Sequence, residues 1–103
     1  MKKGDTVFVI KWKYIDNKFT YYVEPMIYTT TTTNYGCYIH CRSMAYRGLE
    51  IASDTIYSRA FTPKSNRVFE TLEEAEANAR HRQIEHDIKK KYELLAKKEL
   101  EGK

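Results

Sequence analysis

Apolar and polar residues alternate with a period of two through much of the first 70 residues, a pattern that indicates half-buried β-strands. The alternation is clearest in residues 6–14. Val7 and Val9 make the second face of this strand apolar at its start, so we expect that face to be covered there and exposed at its end. The two faces carry Phe8, Ile10, Trp12 and Tyr14 on one side, and Val7, Val9, Lys11 and Lys13 on the other.

Turn residues divide the rest of this region into further short strands. Asp16, Asn17 and Lys18 predict a hairpin turn, because Asn and Asp tolerate the left-handed backbone that tight turns require. Pro25 has no N–H and marks a bulge or an edge. The threonine-rich stretch has no apolar side, so we expect an exposed loop at 31–36. The predicted strands cover 19–24, 26–28, 37–42, 49–52, 56–61 and 68–69, with Cys37, Ile39 and Cys41 on the buried face of 37–42 and Tyr38, His40 and Arg42 on the other.

The sequence changes character at Thr71, where a strand is followed by one long charged helix. The Thr71 hydroxyl is placed to cap the helix, and Glu74 is placed to bond back to the Thr71 N–H, which is the capping-box arrangement. The predicted helix runs from Leu72 to about Glu101 and is ~45 Å long. We therefore predict one α+β domain: a small, bent antiparallel β-barrel of about five strands over 1–70, followed by a C-terminal helix over 71–103 that packs on it and projects from it.

The long helix carries more apolar surface than a small sheet can cover. Its predicted stripe begins with Leu72, Ala75 and Ala79 and continues into the distal half. Lys91 and Lys98 interrupt the heptad pattern, which disfavours an extended coiled coil. We expect the distal apolar residues to pack against a second copy of the chain, as a homodimer, or against a target protein; a solvated tail is the alternative. These residues are Ile84, Ile88, Tyr92 and Leu95, with Leu100 beyond them.

The net charge of +4 lies entirely in the β region. Residues 1–70 carry ten Lys and Arg against six Asp and Glu, whereas residues 71–103 carry eight of each. Eight of the nine tyrosines also lie in the β region, so a basic and aromatic surface for an anionic partner is one interpretation. Solubility charge and the β-propensity of Tyr are the other. The candidate binding residues are Lys11, Lys13, Tyr22, Tyr38, Arg42, Tyr46, Arg47 and Arg59, with Lys64 and Arg67 as further candidates, and Lys11, Lys13 and Arg42 are expected to face solvent.

No pattern in the sequence indicates catalysis, a cofactor or a metal site. Alternation places His40 on the opposite face of its strand from Cys37 and Cys41, and a closed zinc site needs four converging ligands. His81 and His86 are five residues apart, which is not the spacing of a metalloprotease helix. The N-terminus is charged and no apolar run approaches ~20 residues, so we expect a cytoplasmic protein with no membrane partner. We also expect the protein to be non-enzymatic, with both cysteines reduced and packed.

Two segments resemble a set of small proteins found in phages and Firmicutes. These are Gly4–Ile10, a Gly-Asp-x-Val-aromatic-x-Val/Ile strand, and Val68–Glu76, which reads Val-Phe-x-Thr-x-Glu-Glu-Ala-Glu. The resemblance implies a barrel like that of Src-homology-3 domains with a capping helix, and it implies no particular activity. It favours a phage protein that acts stoichiometrically on a host protein or nucleoprotein complex in the host cytoplasm, such as an inhibitor of CRISPR nucleases.

Two other functions fit the same residues. A small barrel that binds nucleic acid would use its aromatic rings for base stacking and its cations for phosphates. A pocket between two helices or barrels that sequesters a nucleotide messenger is compatible with the charge, but no motif supports it. The threonine loop and the helix beyond about residue 82 depart from the resemblance, so target specificity is expected there.

Overall fold

The computed structural model describes residues 1–33, 35–48 and 53–102. The elements are β1 (Thr6–Ile15), β2 (Lys18–Thr32), β3 (Tyr38–Ser43), β4 (Ser58–Phe61), β5 (Val68–Phe69) and α1 (Leu72–Glu101), with 3-10 turns at Met44–Tyr46 and Pro63–Ser65. Among these residues, five antiparallel strands form one sheet in the order β4-β3-β2-β1-β5, and α1 packs against β1, β2 and β5. The predicted α+β fold class is confirmed. The strand predicted over 49–52 lies outside the described residues.

The sheet curls so that strands from its two edges share one core. Val7 and Val9 are fully buried at the centre of this core, as the alternation in β1 predicted. Phe61 on β4 and Val68 on β5 contact the same cluster, although these strands lie at opposite ends of the sheet order. The cluster consists of Val7, Val9, Met26, Cys41 and Phe61, with Tyr28, Ile39 and Val68 packed against it.

Strand β2 is continuous over 15 residues, although the sequence predicted a break at Pro25. Pro25 lies opposite Phe8 on β1, and the pairing with β3 begins only at the next residue, Met26. Among the described strands, β1 is therefore the only paired neighbour of β2 at Pro25. The missing N–H of Pro25 therefore removes no bond to β3, and a proline is tolerated where a strand has such a free edge. The interpretation of Pro25 as an edge residue is right, and the predicted break is wrong.

A side chain from the helix covers part of this free edge. The Tyr21 N–H donates to Gln83 Oε1 at 2.8 Å, and Gln83 Nε2 donates to the Phe19 carbonyl at 3.0 Å. One carboxamide thus supplies the acceptor and donor that a neighbouring strand would supply. Unpaired strand edges are templates for aggregation, so Gln83 both fixes the helix on the sheet and protects the edge.

The threonine run belongs mainly to β2, which extends into the predicted loop at Thr31 and Thr32. Strand β2 includes four of the five consecutive threonines. A register shift between Tyr28 and Thr30 turns Thr29 inward, where it is 5% exposed and donates to the His40 carbonyl at 3.0 Å. The prediction that this run has no buried side is wrong at Thr29, because a bulge changes the face on which a residue lies.

The two cysteines, both free thiols, differ in burial. Cys41 is completely buried in the core, and this burial raises the pKa of its thiol to about 11. Cys37 is exposed, because it precedes the first residue of β3, Tyr38. The prediction of two packed thiols is therefore right for Cys41 and wrong for Cys37.

The helix begins at the predicted cap and packs on the sheet through its first half. Thr71 Oγ1 accepts a hydrogen bond from the Glu74 N–H at 3.3 Å, but the return bond of a capping box is not formed between these two described residues. Ala75 and Ala79 are buried against the sheet. Small side chains at these positions let the helix approach the strands closely. From Asp87 onward, every described helix residue is exposed.

Candidate basic and aromatic binding site

The curled sheet gathers basic and aromatic side chains at one end. Lys11 on β1 lies opposite Tyr22 on β2, and opposite residues of an antiparallel pair share a face. Arg59 on β4 pairs with Cys41, which belongs to the core face, and the curl of the sheet brings Arg59 to Tyr22. The result is a pocket of about 170 Å³, hereafter the basic–aromatic pocket. Its lining residues are Lys11, Trp12, Tyr22, Arg59 and Arg67.

Lys13 adds a further cation at the rim of this pocket. Its Nζ lies 4.6 Å from the centroid of the Tyr22 ring, which is within the range of a cation–π interaction. Tyr22 therefore lies among several positive groups. The fold brings together four of the predicted binding residues, namely Lys11, Lys13, Tyr22 and Arg59, with the further candidate Arg67.

The cations of the pocket differ in how far their charge is balanced. Lys11 Nζ lies 2.6 Å from Glu24 Oε2, and only 18% of the Lys11 side chain is exposed. The prediction that Lys11 faces solvent is therefore wrong, because the hairpin register places Glu24 of β2 diagonally opposite Lys11. Within the described part of the chain, Arg59 and Arg67 form no ion pair with a carboxylate. Together with Lys13, these two guanidinium groups provide the uncompensated positive charge, and each guanidinium can donate two parallel hydrogen bonds to one carboxylate or phosphate.

Arg42 is a structural residue and does not line the basic–aromatic pocket. It is 8% exposed, its Nε donates to the Ile56 carbonyl at 3.0 Å, and its Nη2 donates to the Ser53 carbonyl. The guanidinium thereby anchors the segment that leads into β4. The prediction that Arg42 faces solvent is wrong, because this segment covers the strand face on which alternation placed the side chain.

The remaining predicted binding residues lie apart from the pocket. Tyr38 is the first residue of β3, whereas Tyr46 and Arg47 follow its last residue, so the strand of ~17 Å separates them. Tyr46 stacks on Tyr57 with ring centroids 5.1 Å apart. Tyr38 and Lys64 line a separate depression beside Pro63–Ser65. The predicted surface is therefore not continuous.

An aromatic cluster on the opposite face of the sheet joins the sheet to the helix. Phe19 stacks on Trp12 with centroids 5.1 Å apart and on His86 at 4.3 Å. Tyr14 and Tyr21 meet the Phe19 ring edge-on. Sequence reasoning missed Phe19 and His86 as neighbours. The predicted hairpin turn contained the signal for Phe19, since it sets Tyr14 opposite Phe19, but the contact with His86 depends on where the helix lies.

The distal apolar residues lie on a different face of the helix from the one that packs on the sheet. At about 100° per residue, their mean direction is about 160° from that of Ala75, Ala79 and His86. The predicted single stripe is therefore wrong, because the helix has two apolar faces. The second face, hereafter the distal apolar face, consists of Ile84, Ile88, Tyr92 and Leu95, which are 58%, 49%, 68% and 48% exposed.

No protein-family model, curated protein or solved structure matches this chain. No helix within the described ranges is both long enough and apolar enough to cross a membrane. The described residues also contain no group of three or more His, Cys, Asp or Glu side chains that could hold a metal ion. Function is therefore inferred from the basic–aromatic pocket and the distal apolar face.

Proposed function

We propose that this chain is a non-enzymatic binding protein, of phage or mobile-element type, that acts stoichiometrically on a host protein through the basic–aromatic pocket. The observation that carries the proposal is the convergence of Tyr22, Arg59 and Arg67 on one small depression, with Lys13 at its rim. Trp, Tyr and Arg are the residue types most enriched at protein-binding hot spots. The matching partner surface presents an acidic side chain to the guanidinium groups, beside an aromatic or aliphatic side chain for the rings. Inhibition of a host-defence complex is one form that such binding takes.

The small number of uncompensated cations favours a protein partner over a nucleic acid. Affinity for nucleic acid increases with the number of phosphates that are neutralised. Arg42 is buried and Lys11 is paired with Glu24, so the pocket offers only Arg59, Arg67 and Lys13 for such contacts. One or two acidic side chains of a protein need no more than this, since paired arginines bind carboxylates with good geometry.

The test is affinity capture from a nuclease-treated Firmicute lysate, with the purified full chain as bait. We expect a protein retained at near one-to-one stoichiometry, and a loss of about tenfold or more with Arg59→Glu or Arg67→Glu. The matched control is Arg47→Glu, which makes the same charge change at an exposed residue outside the pocket and should retain the partner. Circular dichroism verifies that each variant is folded. Equal capture by the wild type and both pocket variants contradicts the proposal.

A second candidate function, binding of single-stranded nucleic acid, is supported by the exposure of Trp12 and Tyr14, at 48% and 66%. Exposed rings beside cations are the components of a base-stacking platform. Fluorescence anisotropy with a labelled oligothymidine tests it. Affinity that falls steeply between about 50 and 200 mM salt and depends on Trp12 favours this candidate, and no binding at the lower salt concentration excludes it.

The basic–aromatic pocket gives the nucleotide-messenger hypothesis no support. Sites for small molecules typically have volumes of about 300–1,000 Å³. The basic–aromatic pocket, at about 170 Å³, is smaller than this range. The pocket is therefore better suited to a few side chains of a larger partner than to a whole nucleotide.

A further inference from the structure

The distal apolar face has the composition and placement of a self-association surface. We propose that two copies of this chain pair through this face, with their helices antiparallel. All four of its side chains, from Ile84 to Leu95, are about half exposed or more. No residue in the described ranges covers them, and the partner that would bury them is a second copy of the chain.

The chain's own sheet cannot reach this face. Ala75 and Ala79 fix the sheet on one side of the helix, and Gln83 and His86 extend that contact to the end of the packed region. The distal apolar face points the opposite way, at about 160° around the helix. A second helix can therefore lie along it without meeting the sheet of the first copy.

Charges inside the seam disfavour a parallel pair. The heptad seam runs through His81, Ile84, Ile88, Lys91, Leu95 and Lys98. Parallel, in-register helices would place each lysine directly opposite the same lysine of the other copy. An antiparallel pair centred between Ile88 and Lys91 instead sets Ile84 against Leu95 of the other copy and Lys91 against Ile88, so that the lysine stem adds apolar contact and its ammonium group reaches solvent. The same alignment sets Lys98 against His81, whose ring lies 3.0 Å from Glu85 of its own helix.

The residues that flank the seam also suit the antiparallel orientation. Flanking positions of paired helices set partner choice and orientation through their charges. In this alignment Arg80 of one copy lies beside Glu101 of the other, which is an opposite-charge pair. The flanking pairs between the two copies are Arg80 with Glu101, Asp87 with Leu94, Glu85 with Tyr92 and Asn78 with Glu99, and none of them joins like charges.

Antiparallel pairing places the two sheets at opposite ends and on opposite sides of the helix pair. The packed helix segments, 72–86, would be centred about 30 Å apart along the axis. Two basic–aromatic pockets on one particle would raise the apparent affinity for a partner with repeated acidic sites. That consequence rests on the proposed function, whereas the pairing itself is tested on the purified chain alone.

The first experiment is analytical ultracentrifugation of the full chain, under reducing conditions, over a wide concentration range. We expect a reversible monomer–dimer equilibrium whose dissociation constant rises at least about 100-fold with Ile88→Glu, because the charge would be buried in the seam. The matched control is Leu100→Glu, which makes the same kind of change at a residue that is 76% exposed and lies off the seam. A wild-type chain that is monomeric at every concentration, or equal effects of the two variants, overturns the proposal.

The second experiment measures the orientation by electron–electron resonance between spin labels. Glu73→Cys supplies an exposed label site near the start of the helix, in a Cys37→Ser background. Cys41 is fully buried and is not labelled in the folded chain. The antiparallel pair predicts a separation of about 50 Å along the axis. A separation of about 15 Å is the value for a parallel pair and contradicts the proposed orientation.

Discussion

The two halves of the helix differ in the residues that they bury and expose. In the proximal half the small Ala75 and Ala79 are buried, whereas in the distal half the large Ile88 and Leu95 are exposed. Size therefore does not decide burial along this helix. The proximal half needs small side chains because the helix lies close on the sheet, and the distal half carries large ones on a face that the sheet cannot reach. The difference indicates that the two halves were built for different contacts.

The hydrogen bonds between the helix and the sheet also differ between the two halves of the helix. In the proximal half, Gln83 replaces a missing strand neighbour, and Arg82 donates to the Ser65 and Asn66 carbonyls at 2.8 and 3.0 Å. Beyond His86, no described helix residue bonds to the sheet or its connections. The proximal half is therefore part of the fold, and the distal half is available for association.

The largest expected effect compares two isoleucines, one from each region. Ile10 is completely buried on the sheet, and Ile10→Ala should lower the free energy of unfolding by about 2–5 kcal/mol through lost burial and a cavity. Ile88→Ala, measured at a concentration where the chain is monomeric, should change it by less than about 0.5 kcal/mol. Urea denaturation gives both values. Similar losses at the two positions would remove the distinction between the regions.

Arg42 tests whether the connection into β4 belongs to the packed region. Arg42→Ala removes the donors to the Ile56 and Ser53 carbonyls and should lower the free energy of unfolding by about 1.5–3 kcal/mol. Arg47→Ala is the control, because Arg47 is exposed and should contribute little. Urea denaturation of both variants makes the comparison. If the two arginines cost the same, Arg42 does not anchor this segment.

The burial of the Cys41 thiol predicts that the free energy of unfolding falls at alkaline pH. The folded-state pKa is about 11, raised from 9.0 by burial, so only the unfolded chain ionises this thiol between these values. The stabilising contribution is complete below pH 9 and falls by about 2 kcal/mol as pH rises toward 11. The measurement is the difference between wild type and Cys41→Ala in urea unfolding across this pH range. An unchanged difference would show that the thiol is not sealed in the core.

A companion reactivity assay separates the two thiols. Exposed Cys37 should react with an aromatic disulfide reagent in the folded chain, whereas Cys41 should react only after unfolding. The count should therefore rise from one thiol to two on adding denaturant. Two fast-reacting thiols in the native chain would contradict the burial of Cys41.

The smallest expected effect concerns the edge of β2. Gln83→Ala removes the partners of the Tyr21 N–H and the Phe19 carbonyl, and should cost about 1 kcal/mol because water can replace part of these contacts. Hydrogen exchange at the Tyr21 amide gives a local readout and should accelerate. Glu85→Ala is the control on the same helix. An unaffected Tyr21 amide would show that the carboxamide does not complete the edge.

Local patterns were enough to predict the main architecture. The alternation in β1, the Asp16–Lys18 turn and the Thr71 cap act between near neighbours, and the structure has each of them. The helix bounds follow for the same reason, since a cap and a continuous run of helix-forming residues set them. The features that escaped prediction depend on contacts between distant parts of the chain.

Three residues show why the structure and the site were only partly predictable. Arg42 is buried because residues that follow it by more than ten positions cover its face. Lys11 is neutralised by Glu24, which requires the hairpin register. Thr29 turns inward at a bulge that no sequence signal marks. The separation of the two helix faces, by contrast, follows from rotation of about 100° per residue and was open to prediction.

The chain's own sheet covers the proximal half of the helix, and we propose that a second copy of the chain covers the distal half. Hydrogen exchange along the helix, measured at low and at high protein concentration, tests this division. We predict that amides over 72–86 are protected equally at both concentrations, while protection over 88–99 increases strongly with concentration. Exchange over 88–99 that is the same at both concentrations would contradict the claim.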